Sequence, residues 1–152
     1  MRVFLDTNVL VSATATRGLC ADLFREVLLL HHLVVCPALL DELARVLTQK
    51  FGASPEIVED ALCLLQQDTI VAATGALPDL ALEDKDDLAI LAGAIAGGAE
   101  VFVTGDKAVQ SLGCVGKMQV LSPRQFWERL VREQPAGENP LGAEPQSRDG
   151  GG

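Results

Sequence analysis

The chain has 152 residues, 49% of them hydrophobic, and its formal net charge is −9 at pH 7. This length suits one domain with one core, and no apolar run is long enough to cross a bilayer. Nonspecific nucleic-acid-binding proteins carry a basic surface, so the negative net charge of this chain disfavours that class. The chain starts without a basic and apolar leader, so we expect a cytoplasmic protein with no membrane partner.

Apolar runs of strand length alternate along the chain with segments of helical periodicity. Strands are predicted at residues 3–5, 33–36, 69–73, 101–104 and 118–121. Helices are predicted at residues 19–30, 37–49 and 55–66, from 86 or 87 to about 97, briefly after 106, and at 124–132. Residues 74–84 are predicted to form a loop, because Gly75 and Pro78 break regular structure.

Strands that alternate with helices predict a parallel sheet with helices on both faces, because parallel strands need crossover connections. We therefore expect the α/β class, as a three-layer sandwich around a mostly parallel, five-stranded sheet. This domain would occupy residues 1–133. From Gln134 onward the sequence is rich in Pro, Gly, Glu, Gln and Ser, so residues 134–152 are predicted to form a disordered tail.

Two acids follow predicted strands closely. Asp6 comes directly after the first strand, and Asp106 lies just beyond the fourth. The carboxyl ends of neighbouring parallel strands meet at one edge of a sheet, where open α/β sheets place their ligand sites. Either acid could instead be a turn residue or a helix cap. The Thr104 hydroxyl would lie near Asp106, and Asn8 is either a turn residue or a donor that orients Asp6.

A third acid, Glu42, lies on or beside the apolar stripe of its predicted helix. It comes three residues after Leu39 and four before Val46. A carboxylate on an inward face is costly to bury unless it meets a cation or a strong donor. At the edge of the stripe, Glu42 would instead reach solvent and could pair with Arg45. The residues leave both alternatives open.

The fourth acid position belongs to an acidic cluster at residues 83–87, just before a predicted helix. Acids at a helix start are favoured by the helix dipole, which explains one or two of them without any function. Asp87 shares its helical spacing with Ile90 and Leu91, so it lies on the face that packs on the sheet. Asp86 is turned about a quarter-circle away, and we expect it to be an auxiliary acid.

Like charges that are gathered in one pocket repel one another unless a cation is present. The four acid positions therefore predict a site for a hard cation, with one ion or with two about 4 Å apart. Its ligands would be Asp6, Glu42, Asp87 and Asp106. Metal-assisted cleavage of a phosphodiester is the leading hypothesis for such a site.

Ordered pieces of the chain resemble the PIN-domain family of ribonucleases. The matching pieces are LDTN at residues 5–8, LDEL at 40–43, DKDD at 84–87 and GAEVFVTGD at 98–106. The resemblance covers roughly residues 1–130. It is greatest to the single-domain prokaryotic members that are classed as toxin components of toxin–antitoxin pairs.

The resemblance implies a PIN-like α/β fold, a Mg²⁺ or Mn²⁺ site, endonucleolytic cleavage of RNA, an antitoxin partner and a homodimer. By position it implies Asp6, Glu42, Asp87 and Asp106 as the catalytic and metal-binding residues, with Asn8, Asp86 and Thr104 as polar neighbours of the metal. Some relatives carry a further acid where this chain has Ala108, a departure that weakens the case for a second ion.

Two other functions stay open from the sequence. One is a catalytically degenerate PIN-like domain that is kept for protein binding. The other is a different Mg²⁺-dependent phosphohydrolase, in which Asp6 is the nucleophile. Enzymes of that class use a second acid two residues further on, where this chain has Asn8. The intact set of acids favours the metal-dependent nuclease over both.

Overall fold

The computed structural model describes residues 1–67, 69–72, 78–80 and 82–133. The predicted tail at 134–152, part of the predicted loop at 74–84 and the last residue of the third predicted strand lie outside the described residues. In the part of the chain that is described, no helix is both long enough and apolar enough to span a bilayer.

Within these ranges, six strands form one sheet. They are β1 (Arg2–Leu5), β2 (His32–Val35), β3 (Ile70–Val71), β4 (Val101–Val103), β5 (Cys114–Val115) and β6 (Met118–Leu121). The strand order is β3-β2-β1-β4-β6-β5, and every pairing is parallel except that of β5 with β6. The mostly parallel sheet is confirmed. The prediction of five strands missed β5, because two residues are too short to show a period.

Seven helices are seen over the same described ranges. They are α1 (Thr7–Ala15), α2 (Leu19–Leu30), α3 (Pro37–Phe51), α4 (Pro55–Gln66), α5 (Lys85–Ala96), α6 (Lys107–Gln110) and α7 (Pro123–Glu133). Helices flank the central sheet, so the predicted α/β class is confirmed. α1 was not predicted, because β-branched Val9, Val11 and Thr14 lower its helix propensity.

Capping residues set several helix ends. Gly52 ends α3 in the left-handed conformation, with φ at 64°, which glycine adopts without a Cβ clash. Ser54 caps α4 and is followed by proline, as its sequence predicts. α5 begins at Lys85, earlier than predicted, because the Asp84 side chain caps it and accepts a hydrogen bond from the Asp86 N–H at 2.8 Å.

β1 lies at the centre of the sheet, and its Val3, Phe4 and Leu5 are completely buried. The Phe4 ring stacks on Phe102 of β4, with ring centroids 5.1 Å apart. Leu5 is in register with Val103, so the residues that follow β1 and β4 emerge side by side. The strand order reverses between these two strands, and such a switch point opens a crevice at the carboxyl edge of the sheet.

Candidate active site

A cavity of about 430 Å³ opens beside the carboxyl ends of β1 and β4. Five carboxyl side chains line it: Asp6, Glu42, Asp84, Asp87 and Asp106. The other lining residues are Thr7, Asn8, Val11, Ser12, Val46, Lys50 and Phe51. The fold therefore brings together, in one cavity, the four acids that the sequence singled out and a fifth that it did not.

Asp6 is the most deeply placed of these acids, with only 7% of its surface exposed. Its backbone N–H donates to the Val103 carbonyl at 2.9 Å, which fixes the residue against the end of β4. One carboxylate oxygen, Oδ1, accepts the Thr7 N–H at 2.8 Å, and the other, Oδ2, accepts the Thr104 hydroxyl at 2.8 Å. Each oxygen keeps a further lone pair for a ligand.

The pKa of Asp6 is raised above its ordinary value, chiefly because burial disfavours the charged form. The hydrogen bonds from Thr104 and Thr7 lower this pKa, whereas the negative charges of Glu42 and Asp106 raise it. Burial and like charge therefore exceed the effect of the two donors. A cation in the cavity would reverse that balance.

Thr104 links two acids of the cavity. Its buried hydroxyl donates to Asp6 Oδ2 and accepts the Asp106 N–H at 3.0 Å. Its carbonyl accepts the side-chain amide of Gln110 at 2.8 Å, which ties the end of β4 to α6. Asp106 Oδ1 accepts the Ala108 N–H at 2.8 Å, so Asp106 also caps α6. These contacts hold Asp6 and Asp106 at fixed positions on neighbouring strand ends.

Glu42 faces inward, toward α1. The Thr7 hydroxyl donates to Glu42 Oε1 at 2.5 Å, and Glu42 is half-buried. The alternative pairing with Arg45 is not the contact that forms, because Arg45 Nη2 lies 3.7 Å from the carboxylate of Asp86. The strong donor that an inward Glu42 needs is thus supplied by the residue next to Asp6.

Asp87 lies partly buried near the start of α5. Its pKa is raised to about 6, first by burial and then by the negative charges of Asp84, Asp106, Asp6 and Glu42, in that order. This pKa shows that the carboxyl groups of the cavity interact with one another, although they come from distant parts of the chain.

Asp86, which we expected to assist Asp87, lies outside this cavity. It is exposed, pairs with Arg45 and lines a different cavity with Ala38 and Asp41. Asp84 lines the acidic cavity instead. The signal for Asp84 was its position three residues before Asp87, which places both on the same side of the helix start.

Asn8 is exposed and lines the cavity. Its Oδ1 accepts the Gly105 N–H at 3.3 Å, so it joins α1 to the turn that follows β4. Lys50 and Phe51, near the end of α3, also line the cavity, and the sequence alone did not suggest them. For Lys50 a signal was present, because Glu42, Val46 and Lys50 are spaced four residues apart on one helix face.

The donor set of the cavity fits a hard cation, because it consists of carboxylate oxygens that raise one another's pKa. As the side chains stand, no three His, Cys, Asp or Glu residues of the described ranges form a group that would hold a metal ion. The carboxylates therefore line one space without converging on one point. Ligation of one ion by several of these acids would require some of their side chains to rotate toward it.

The fold and the acidic cavity define a class: an α/β protein with a carboxylate-lined crevice at the switch point of its sheet. The sequence model of the PIN domain matches residues 2–108, and the chain belongs to the PIN-domain family. PIN domains are nucleases, so membership supports a hydrolase. No curated protein matches the chain.

Two solved structures share the fold. One is VapBC2 from Rickettsia felis, bound to a DNA fragment from its promoter, with 17% identity, a TM-score of 0.58, and coverage of 80% of this chain and 98% of the other. The second is VapBC-1 from nontypeable Haemophilus influenzae, with 21% identity, a TM-score of 0.55, and coverage of 82% and 99%. At these identities the similarity establishes the architecture.

Proposed function

We propose that this protein is a metal-dependent endoribonuclease that hydrolyses RNA phosphodiester bonds, and that it is the toxin component of a toxin–antitoxin pair. The observation that carries the proposal is the meeting of four acids, from four separate elements, in one cavity around the buried Asp6. Membership of a nuclease family supports the same chemistry.

In this proposal Asp6, Glu42, Asp87 and Asp106 would hold Mg²⁺ or Mn²⁺, as one ion or two. A bound divalent ion supplies charge stabilisation for a phosphodiester and makes water more acidic. The raised pKa values of Asp6 and Asp87 support this assignment, because a bound cation would favour the ionised forms that burial and the neighbouring carboxylates disfavour.

The other residues of the cavity would position these acids. The Thr104 hydroxyl donates to Asp6 Oδ2, and the Thr7 hydroxyl donates to Glu42 Oε1, so each hydroxyl fixes the orientation of one carboxylate. A donor of this kind favours the ionised acid, which is the form that binds cations. Asn8 would support the site by holding the turn at Gly105. Asp86 would act only indirectly, from the neighbouring cavity.

The proposed partners are RNA and a cognate antitoxin protein, and the proposed location is the cytoplasm. The two structures of similar fold are VapBC toxin–antitoxin pairs, which supports an antitoxin for this chain. A homodimer is also proposed. Its support is a pair of exposed apolar side chains: Leu28 of α2 and Leu64 of α4 are both exposed and line the same surface cavity. Light scattering after size-exclusion chromatography tests the dimer.

Cleavage of a panel of end-labelled RNAs tests the activity. We expect the protein to cut RNA with Mg²⁺ or Mn²⁺ and to lose activity in a chelator. Asp6→Asn removes the central carboxylate charge while it keeps an oxygen that can accept the Thr7 N–H, so the variant should fold normally and show no cleavage.

The matched control is Asp60→Asn, which removes an exposed acid of α4 that does not line the cavity. This variant should cleave RNA as the parent does. Full activity of a nuclease-free preparation of Asp6→Asn would refute the assignment of the site. A parent protein that folds and binds an antitoxin, but cleaves none of the RNAs with either metal, would favour the protein-binding module.

A further inference from the structure

Phe51 is the one Phe, Tyr or Trp side chain of the chain that is largely exposed. The chain has five Phe, one Trp and no Tyr, and all six rings belong to described residues. The other five are buried or half-buried, whereas 55% of Phe51 is exposed. This ring is also part of the wall of the acidic cavity. It is therefore accessible to whatever binds there.

Lys50 is the only basic residue that lines this cavity among the residues described. It belongs to the row Glu42, Val46 and Lys50, which runs along one face of α3 and lines the cavity throughout. At the helical rise, Lys50 lies about 12 Å along the axis from Glu42. The same helix thus presents an acid at one end of the cavity and a cation at the other.

The last turn of α3, which carries Lys50 and Phe51, is held in place. The Gly52 N–H donates to the Thr48 carbonyl at 3.1 Å, and the Ala53 N–H donates to the Leu47 carbonyl at 3.0 Å. These bonds close the helix in the left-handed C-terminal turn that Gly52 permits. The aromatic ring and the basic residue are therefore attached to a defined backbone rather than to a loose loop.

We propose that Phe51 and Lys50 form a subsite for a nucleotide adjacent to the scissile phosphate of single-stranded RNA. Phe51 stacks on the unpaired base, and Lys50 contacts the phosphate of that nucleotide. This subsite rests on the proposed ribonuclease function. A base within a duplex has both faces covered by its neighbours, so only an unpaired base can stack on a protein ring.

The size and charge of the cavity agree with this occupant. Its volume of about 430 Å³ falls within the range of about 300–1,000 Å³ typical of pockets for small ligands. That space suits one nucleotide. Lys50 also supplies a local positive charge in a protein whose net charge of −9 would otherwise repel RNA.

The test measures RNA binding separately from cleavage. All proteins carry Asp6→Asn, so that the RNA stays intact in Mg²⁺, and the probe is a short single-stranded RNA that contains 2-aminopurine. We expect Phe51→Ala and the size-matched Phe51→Leu to weaken binding about 5- to 100-fold and to abolish the fluorescence quenching that stacking produces. Phe51→Trp should retain tight binding. Binding of the same RNA annealed to its complement should not change.

Lys50→Ala should weaken binding at low salt and should lower the slope of log affinity against log salt by about 0.7, the value for one phosphate contact on a single strand. The matched controls are Leu64→Ala, which truncates an exposed side chain of α4 away from the cavity, and Lys117→Ala, which removes an exposed cation between β5 and β6. Both controls should bind RNA as the parent does. Thermal melting of every variant checks that it is folded.

The subsite is refuted if Phe51→Leu binds the single strand as tightly as the parent, or if its loss of affinity is equal for the duplex. Cleavage assays then separate this proposal from the proposed function. In these assays Asp6 is left unsubstituted, so that the protein can cut RNA. RNA that is bound through Phe51 but never cut would refute the nuclease, and would leave Phe51 as a stacking residue of an RNA-binding site without a scissile phosphate. RNA that is cut with an unchanged KM in Phe51→Leu would refute the subsite and support the nuclease.

Discussion

Three acids of the cavity have a structural role as well as a place in the candidate site. Asp6 caps α1, Asp84 caps α5 and Asp106 caps α6. For Asp6 and Asp106 the sequence presented two roles as alternatives, a helix cap and a residue of the candidate site. Both residues cap a helix and also line the cavity, so the two roles are compatible. The N-terminal ends of three helices surround the cavity, and their partial positive charge favours ionised carboxylates there.

The contact between Thr7 and Glu42 leads to a prediction at this scale. Thr7→Val removes the hydroxyl that donates to Glu42 Oε1 and keeps the shape of the side chain. Hydrogen bonds to charged groups contribute about 1.5–3 kcal/mol, so kcat/KM for RNA should fall about tenfold or more. Cleavage kinetics over a Mn²⁺ titration measure the effect.

Thr7→Ser restores the donor and should recover most of the lost activity. In the Glu42→Gln background, Thr7→Val should have little further effect, because the carboxylate that it orients is already gone. Equal losses in both backgrounds would show that Thr7 does not act through Glu42.

The raised pKa of Asp87 gives a prediction about pH and stability. Because this pKa is about 6 in the folded protein and about 3.9 in an unfolded chain, the folded state binds the proton more tightly. The contribution of Asp87 should therefore make the metal-free protein less stable as the pH rises from about 4 to 6. Asp87→Asn should be more stable than the parent at pH 7, and the difference should vanish near pH 4.

Urea unfolding in a chelator, from pH 4 to pH 8, measures this difference. Asp60→Asn, on the exposed side of α4, is the control and should show no such dependence on pH. A parent protein that is stabilised as the pH rises through this window, relative to Asp87→Asn, would contradict the predicted environment of Asp87.

At the scale of elements, α5 approaches its neighbours closely, and this approach positions Asp87. A Cβ built on Gly93 would overlap the side chain of the buried Cys36, and a Cβ on Gly97 would overlap Val34 of β2. Gly93 in α5 and Gly97 at its C-terminal cap therefore allow the helix to pack against the end of β2. The sequence placed Ile90 and Leu91 on the face of the helix that packs on the sheet. It did not show how closely α5 approaches β2.

Gly93→Ala should destabilise the protein by about 1–3 kcal/mol, the usual range for overpacking a core. Thermal unfolding should show a lower Tm than that of the parent. The control is Gly105→Ala, whose added Cβ meets Asn8 Oδ1 at an ordinary contact distance of 3.6 Å and should have little effect on Tm. A Gly93→Ala protein that is as stable as the parent would show that α5 can move away from Cys36 without a loss of stability.

At the scale of the whole molecule, the sheet order places β1 between β2 and β4, and the three helices α1, α3 and α5 surround the end of β1. The acids of the cavity are far apart in the sequence, so only the folded chain gathers them. A ligand that binds this arrangement binds the folded state alone and must stabilise it.

We therefore expect Mn²⁺ to raise Tm. At a concentration of 100 Kd the stabilisation is about 2.7 kcal/mol, which for a domain of this size corresponds to about 5–10 °C. Chelator should reverse the shift, and Asp6→Asn and Asp87→Asn should abolish it. An equal shift in Asp6→Asn would place the bound ion outside the acidic cavity.

The sequence by itself determined most of the elements, because hydrophobic periodicity and capping residues act locally. Val101–Val103, with its unbroken apolar run, and α4, with its Ser-Pro start, could be assigned without coordinates. Charge also limited the candidate site to a few acids at strand ends and helix starts. α1 and β5 were missed, since β-branched residues lower the helix propensity of α1 and the two residues of β5 show no period.

Only the tertiary structure decided which side chains share the cavity. It turned Glu42 toward Thr7, placed Asp84 in the cavity and Asp86 outside it, and added Lys50 and Phe51 to the wall. The physical reason is that these contacts depend on how α3 and α5 pack against the end of β1. That packing is a property of elements far apart in the chain, which no local pattern records.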